Sequence, residues 1–295
     1  MYYLSKMANV KFPRKEFEEH IKLNERIIEK ISLFGTPLEK IDEIEIEIEI
    51  SPNRPDLLSM QNYLRAFKAF LGKETGLKKY KINKPEKNYL VKIDQAVKPI
   101  RPYTTCTIIK NLSSNNQKIK EIIDLQEKLH NTIGRKRKKV AIGIYPLEKI
   151  KFPITYKALL PEKIKFIPLE YDVVLNGRQI LTKTSTGRDF SHLLEKEELY
   201  PIFIDSNNEI LSMPPIINSN TTGKVENSTK DVFVECSGFD FNVLKKCLNI
   251  VITTLADMGG TIYETTLQYD KKEITPNNDV SDELSALLGD DITAE

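Results

Sequence analysis

The seven residues 44–50 read I-E-I-E-I-E-I, and they restrict the fold more tightly than any other stretch of the chain. Successive strand side chains point to opposite faces, so Ile44, Ile46, Ile48 and Ile50 share one face and Glu45, Glu47 and Glu49 the other. Wound as a helix, the same residues would scatter apolar and acidic groups around the whole circumference. The segment is therefore a strand covering a core on one side. S-P-N-R-P-D (51–56) breaks it, and Leu57, Met60, Leu64, Phe67 and Leu71 follow at helical spacing. Asp56 is the expected cap of that helix, and Gly72 stands where a C-terminal cap belongs. Upstream, Phe17, Ile21, Ile27, Ile28 and Ile31 predict one helix over 15–34, ended by Gly35. These elements make a small N-terminal strand–turn–helix domain, residues 1–90, with the lysine-rich stretch 73–100 read as a connector.

Beyond it, strands are predicted at 103–110, 139–145, 164–169, 200–205, 209–213 and 231–237, with S-N-N (206–208) as hairpin chemistry between two of them. A helix carrying Ile119, Ile122, Leu129 and Ile133 is stopped by Gly134. A longer one carries Leu244, Leu248, Val251, Leu255 and Met258 and ends at Gly259-Gly260, before a single last strand, T-I-Y-E-T-T-L. Many strands with a few long helices predict an α+β (mixed α/β) fold, the larger multi-stranded domain with flanking helices spanning 91–270. Residues 271–295 are polar, regain a short helical pattern only at their end, and read as a linker and the start of a following domain that is absent.

Composition narrows the function classes. In 295 residues, 40% apolar and 29% charged side chains give the balance of a water-soluble protein long enough for two cores. No run approaches the roughly 18 apolar residues of a membrane span, and the opening M-Y-Y-L-S-K-M is too broken for a signal peptide. Cys106, Cys236 and Cys247 are too scattered for a disulfide framework, which makes the reducing cytoplasm the expected compartment. His20, His130 and His192 lack ligand spacing with them, so no metal site is expected. Glycine-rich phosphate loops and G-x-S-x-G elbows are missing, and Ser191-His192 is read as a helix start. The net charge of +2 hides a run, Arg135, Lys136, Arg137, Lys138 and Lys139, that is either a solvated face or a phosphate-facing patch.

Two stretches carry sharper chemistry. In D-V-F-V-E-C-S (231–237) alternation puts Phe233, Glu235 and Ser237 on one strand face, either solvated or, if buried, in need of a partner for the carboxylate. In E-I-L-S-M-P-P-I-I-N (209–218), Pro214 and Pro215 end strand pairing with rigid, donor-free backbone. That is a stiff corner under a core or an immobile pocket wall. T-S-T-G-R-D-F (184–190) reads as a mobile rim loop.

Taken in order, S-P-N-R-P-D-L-L-S-M, R-P-Y-T-T-C, I-I-D-L-Q-E-K-L-H, R-K-R-K-K-V-A-I-G, I-K-F-I-P-L, Y-P-I-F-I-D-S-N, I-L-S-M-P-P-I-I-N and V-F-V-E-C-S-G resemble the N-terminal part of the phenylalanyl-tRNA synthetase β subunit of archaeal and eukaryotic type. The resemblance runs from about residue 40 onward, while residues 1–40 match poorly. It implies that 91–270 is a tRNA-editing domain that hydrolyses tyrosine mischarged onto tRNA(Phe). It also implies partners, namely tRNA(Phe), the α subunit and the remaining β domains in an α2β2 assembly. ATP and magnesium would belong to that whole enzyme and no cofactor to this chain, which would act as an ester hydrolase only. Carried over by motif, the pocket would use Glu235, Ser212 and Ser237 as catalytic residues, with Phe203, Met213, Pro214, Pro215 and Asn218 against the substrate. Pro146, where an acid is expected, and Ser219, where glycine is common, depart from the pattern. The alternative is a non-catalytic tRNA-contacting and subunit-assembly module.

Overall fold

A computed structural model describes residues 8–84, 87–112, 116–269 and 272–274. The small unit runs β1 (Ala8–Pro13), α1 (Arg14–His20), α2 (Glu25–Leu33), β2 (Leu38–Ile41), β3 (Glu45–Ile50) and α3 (Met60–Phe70). β3 lies between β1 and β2 in an antiparallel sheet, with Ile46, Ile48 and Ile50 buried as the alternation requires. The expected single helix over 15–34 is two, because the Asn24 side chain accepts from Ile27 N and starts α2 afresh. Asp56 is no helix cap either. Arg54 binds its carboxylate within a 3₁₀ turn, and Ser59 caps α3.

The larger unit follows with β4 (Ile82–Asn83), β5 (Leu90–Ile93), β6 (Tyr103–Lys110), α4 (Asn116–Asn131), β7 (Val140–Pro146), β8 (Ile154–Leu159), β9 (Lys165–Phe166), β10 (Leu175–Asn176), α5 (Gly177–Lys183) and α6 (Ser185–Phe190). It closes with β11 (Tyr200–Ile204), β12 (Ile210–Met213), β13 (Ile217–Asn218), β14 (Val232–Gly238), α7 (Phe241–Asp257), β15 (Thr261–Tyr263), β16 (Thr266–Tyr269) and β17 (Lys272–Ile274). A five-stranded sheet has the order β4-β15-β6-β14-β7, a seven-stranded one the order β13-β12-β11-β8-β5-β16-β17, and β9 pairs with β10 in a two-stranded one. The lysine-rich connector thus supplies a strand to each of the two larger sheets. The expected last strand is two, which leave Thr265 buried between sheets with its Oγ1 donating to Cys106 O at 2.6 Å. Residues 184–190 are the capped helix α6, since Thr184 Oγ1 accepts from Gly187 N. The 164–169 strand is confined to two residues, and Ser191-His192 open a 3₁₀ turn. The helical pattern at the chain end lies outside the described residues.

Packing explains why β14 reads as apolar on both sides. Val232, Val234 and Cys236 face α4 and α7 in a core that continues into the small unit through α3. Phe233 faces a second core between the two sheets, with Cys106, Ile108, Tyr145, Tyr156 and Phe203. The molecule is therefore layered as small unit, helices, five-stranded sheet, seven-stranded sheet. Among the described residues no helix is long and apolar enough to cross a membrane.

Candidate functional site

A cavity of about 460 Å³ opens beside the edge strand β7, within the roughly 300–1,000 Å³ of small-molecule sites. α4, β7, the turn after β12 and the N-terminal end of α6 enclose it. Ile142, Ile144, Ile216 and Ile217 give it apolar walls, while Ser212 and Glu235 reach it from different sheets. Pro214 and Pro215, joined by a cis peptide bond, form one side together with Asn218.

Three of the expected residues stand off the cavity wall. Phe203 pairs with Ser212 across β11–β12, but its ring stacks on Tyr156 at 4.4 Å in the inter-sheet core. Met213 follows Ser212 and so turns to the opposite face of β12, fully buried. Ser237 sits two residues beyond Glu235 on the same face, where its Oγ accepts from Arg101 Nε at 3.2 Å. Phe203 and Met213 are core packing here, and Ser237 is a link between Glu235 and a buried cation.

Glu235 is 1% exposed, which decides between the solvated and buried readings of its strand face. The Tyr145 hydroxyl lies 3.2 Å from Glu235 Oε1 and 2.7 Å from Ser212 Oγ, tying the two sheets together at the cavity floor. Among the described residues, Glu235 Oε2 has no hydrogen-bond partner. Burial pushes the carboxyl up to about 8, against the pull of the Arg101 charge, the Tyr145 hydrogen bond and the nearby Ser237 hydroxyl. Burial thereby favours the neutral acid. Gly143, opposite Glu235 on β7, makes the meeting sterically possible. A Cβ there would fall onto the Tyr145 hydroxyl and lie 2.6 Å from Glu235 Oε1.

The basic run divides by function. Arg135, Lys136, Lys138 and Lys139 are exposed, whereas Arg137 lines the cavity. Arg137 Nη1 donates to Ile216 O at 2.8 Å, its Nη2 to Glu127 Oε1 at 2.8 Å, and its guanidinium sits over the Phe190 ring. One cation thus holds the Pro214–Ile216 wall to α4 and α6. Arg135, Lys136 and Arg137 have φ of 47°, 55° and 63°, a left-handed turn that costs an L-residue roughly 1–2 kcal/mol each. Buried Arg101 secures that turn, donating to Arg137 O and Lys138 O at 3.4 Å while its Nη2 donates to Ser237 O at 2.6 Å. On α4, His130 Nε2 accepts from Ile142 N at 2.8 Å and Gln126 donates to Ile142 O at 2.7 Å, so the helix satisfies the free edge of β7. With Nε2 accepting, the ring proton is on Nδ1, 3.2 Å from Glu127 Oε1.

Sequence reasoning missed Tyr145, Gly143, Arg101 and Arg137's inward role. Gly143 was the available signal, because a glycine inside a strand marks a close approach. Arg101 and Arg137 gave none, since the carbonyls they hold, Ser237 O and Ile216 O, lie far along the chain.

No family model matches the chain. It is 36% identical over 276 residues to the phenylalanine–tRNA ligase β subunit of Archaeoglobus fulgidus, an alignment covering 91% of this chain and 50% of that protein. To the Thermococcus kodakarensis phenylalanine–tRNA ligase β subunit it is 42% identical over 226 residues, covering 76% of this chain and 39% of that one. A crystal structure of an N-terminal fragment of the Pyrococcus horikoshii phenylalanyl-tRNA synthetase β subunit superimposes with a TM-score of 0.85 at 34% identity, covering 91% of this chain and 79% of the fragment. The chain belongs to the phenylalanyl-tRNA synthetase β-subunit family. It corresponds to the N-terminal part of that subunit and spans half or less of the length of these two relatives. The mixed α/β architecture expected from the pattern of elements agrees with the fragment's fold.

Proposed function

We propose that this cavity is a proofreading site that hydrolyses tyrosine wrongly esterified to tRNA(Phe), within a phenylalanyl-tRNA synthetase. The observation that carries the reading is a fully buried carboxyl oxygen, Glu235 Oε2, without a partner among the described residues, on a residue that lines a cavity with isoleucine and proline walls. A synthetic site shaped for phenylalanine rejects an added hydroxyl by only about 10²-fold. A second site that hydrogen-bonds that hydroxyl selects the error. Phenylalanine would leave the buried oxygen unpaired, at about 1–3 kcal/mol.

In this reading the aromatic ring lies between Ile142 and Ile144 on one side and the proline wall on the other. Its hydroxyl donates to ionised Glu235 Oε2, or accepts from it when the acid is protonated. Hydrolysis then needs a water oxygen to bond to the ester carbonyl carbon, the bond from that carbon to the ribose oxygen to break, and the ribose oxygen to take up a proton. Asn218, Asn220 and Thr186, whose Oγ1 has no partner among the described residues, are polar groups on the same cavity available to hold that water and the carbonyl. The partners proposed with this activity are tRNA(Phe), the α subunit and the rest of the β subunit in an α2β2 assembly. No cofactor is assigned to this chain, and ATP and magnesium go with aminoacylation by the whole synthetase.

The test is deacylation of tyrosyl-tRNA(Phe) and phenylalanyl-tRNA(Phe) by this chain and its Glu235→Ala form. We expect rapid loss of tyrosine only, and loss of that preference in the variant. Equal hydrolysis by both proteins would remove Glu235 from the chemistry. The exposure of Arg135, Lys136, Lys138 and Lys139 favours a second reading, a tRNA-contacting assembly module, and inactivity of both proteins would point there.

A further inference from the structure

Tyr145 has no part in the function proposed above, yet its hydroxyl touches both residues on which that function turns. It is itself a phenol, seated 2.7 Å from Ser212 Oγ and 3.2 Å from Glu235 Oε1. Two roles fit that chemistry. It is a gate that mimics a tyrosyl ligand and must swing aside, or a fixed brace behind the acid.

The surroundings decide between them. Tyr145 is fully buried, and its ring stacks on Phe233 with centroids 5.8 Å apart and planes 30° from parallel. Its hydroxyl occupies the notch left by the missing side chain of Gly143, on the same strand. The backbone of β7 around it is paired residue by residue with β14, Tyr145 opposite Phe233 and Gly143 opposite Glu235. Swinging out would break a close-packed interior and leave Ser212 and Glu235 bare. A phenol also carries one proton, so it cannot donate to both neighbours at once, and one of them must donate to it. Three polar groups are thus locked in a relay in which Glu235 Oε2 has no partner among the described residues.

We propose that Tyr145 is a positioning residue that sets the site's specificity: it fixes Ser212 and Glu235 Oε1 from behind, leaving Oε2 as the one atom that meets a ligand hydroxyl. The specificity clause rests on the proofreading reading; the hold on the carboxyl does not. The ionisable neighbours of Glu235 are Arg101 from the segment before β6, Cys106 on β6, Tyr145 on β7, Tyr156 on β8 and Cys236 on its own strand. Burial keeps the phenols and thiols protonated, so Arg101, the Tyr145 hydrogen bond and the nearby Ser237 hydroxyl are what favour the ionised acid.

Tyr145→Phe in the full chain removes the bond and keeps the ring. The Glu235 carboxyl is followed by infrared difference spectroscopy against Glu235→Gln across a pH titration. L-tyrosine and L-phenylalanine serve as binding probes, and KM and kcat are measured on tyrosyl-tRNA. We expect the titration midpoint to rise and the tyrosine-over-phenylalanine preference to fall about tenfold, with the loss in KM more than in kcat. Ser212→Ala is the second variant, used also if Tyr145→Phe does not fold. It releases the Tyr145 proton wholly to Glu235, so the midpoint should fall instead. Unmoved midpoints in both variants overturn the proposal, and tighter tyrosine binding by Tyr145→Phe overturns it in favour of a gate. A wild-type chain that binds no tyrosine and hydrolyses no tyrosyl ester, but shows the opposed midpoint shifts, would sink the proofreading reading and leave the brace standing.

Discussion

Glu235 couples the candidate site to the stability of the whole chain. Its folded-state value of about 8 lies above the ordinary 4.5, so the folded protein holds the proton more tightly than the unfolded one. The acid's contribution to stability is therefore full below about pH 4.5 and is lost as pH rises through 8, at ~1.4 kcal/mol per unit of difference between the two states. We expect Glu235→Gln to flatten the stability profile over that window and to be the more stable protein by pH 9, measured by urea denaturation at a series of pH values. A profile identical to wild type would mean that the carboxyl is not desolvated. Gly143 gives a second residue-scale expectation. Gly143→Ala drives a methyl onto the Tyr145 hydroxyl and Glu235 Oε1, and should cost about 1–3 kcal/mol with loss of tyrosine binding, read by denaturation and calorimetry. How legible this was differed sharply by residue. Alternation alone put Glu235 and Ser237 on one face, because strand geometry is local. Whether that face was wet or dry was not local: β14 is covered on both sides by elements from elsewhere in the chain. Tyr145 stayed hidden because nothing in K-V-A-I-G-I-Y announces a partner 90 residues away.

Helices and strands expose the same divide. α7 was readable nearly to its ends, since the stripe Leu244 to Met258 and the Gly259 cap at φ 101° are encoded within one segment. β15 and β16 were not, because the switch between two sheets at Glu264-Thr265 depends on where Cys106 already lies. The basic run shows how far composition misleads. Five like residues read as one patch, but the left-handed turn sends Arg137 inward to clamp the proline wall and leaves the other four in water. Two outcomes separate these roles. Neutralising Arg135, Lys136, Lys138 and Lys139 to alanine should flatten the salt dependence of tRNA binding while tyrosine binding persists. Arg137→Met should do the reverse, weakening tyrosine binding and barely altering the salt slope. The turn itself predicts an unusual sign. Lys136→Gly relieves a φ of 55° at an exposed position and should stabilise the chain by about 0.5–1 kcal/mol in denaturant, where glycine elsewhere on the surface destabilises.

At the scale of the molecule, the question is whether the small unit is an independent domain or part of the frame that holds the cavity. Its core does not close on itself: Leu57, Tyr63, Leu64 and Phe67 belong to the same buried cluster as Leu248, Val251 and Leu255 of α7 and as Leu125 and Leu129 of α4. α4 is also the helix whose Glu127 anchors Arg137 and whose His130 and Gln126 seal the edge of β7. A polar joint reinforces the seam. Asp257, at the end of α7, takes Arg65 Nη1 from α3, Lys78 Nζ at 2.8 Å and the Tyr80 hydroxyl at 3.0 Å. Its side chain is nearly buried and that of Arg65 mostly so, which makes removal of one partner far costlier than for a surface pair. Asp257→Ala leaves the guanidinium without its carboxylate and should cost about 3 kcal/mol, the low end for breaking a buried pair. Because the apolar core runs through the joint, that loss should appear as a shift of one cooperative transition seen alike by far-ultraviolet circular dichroism and by tyrosine fluorescence. Glu235, on the far side of β14 from α7, should keep its titration midpoint in this variant. Two separated transitions, or a midpoint that moves with Asp257, would mean that the units fold apart or that the seam reaches the cavity floor through the backbone of β14.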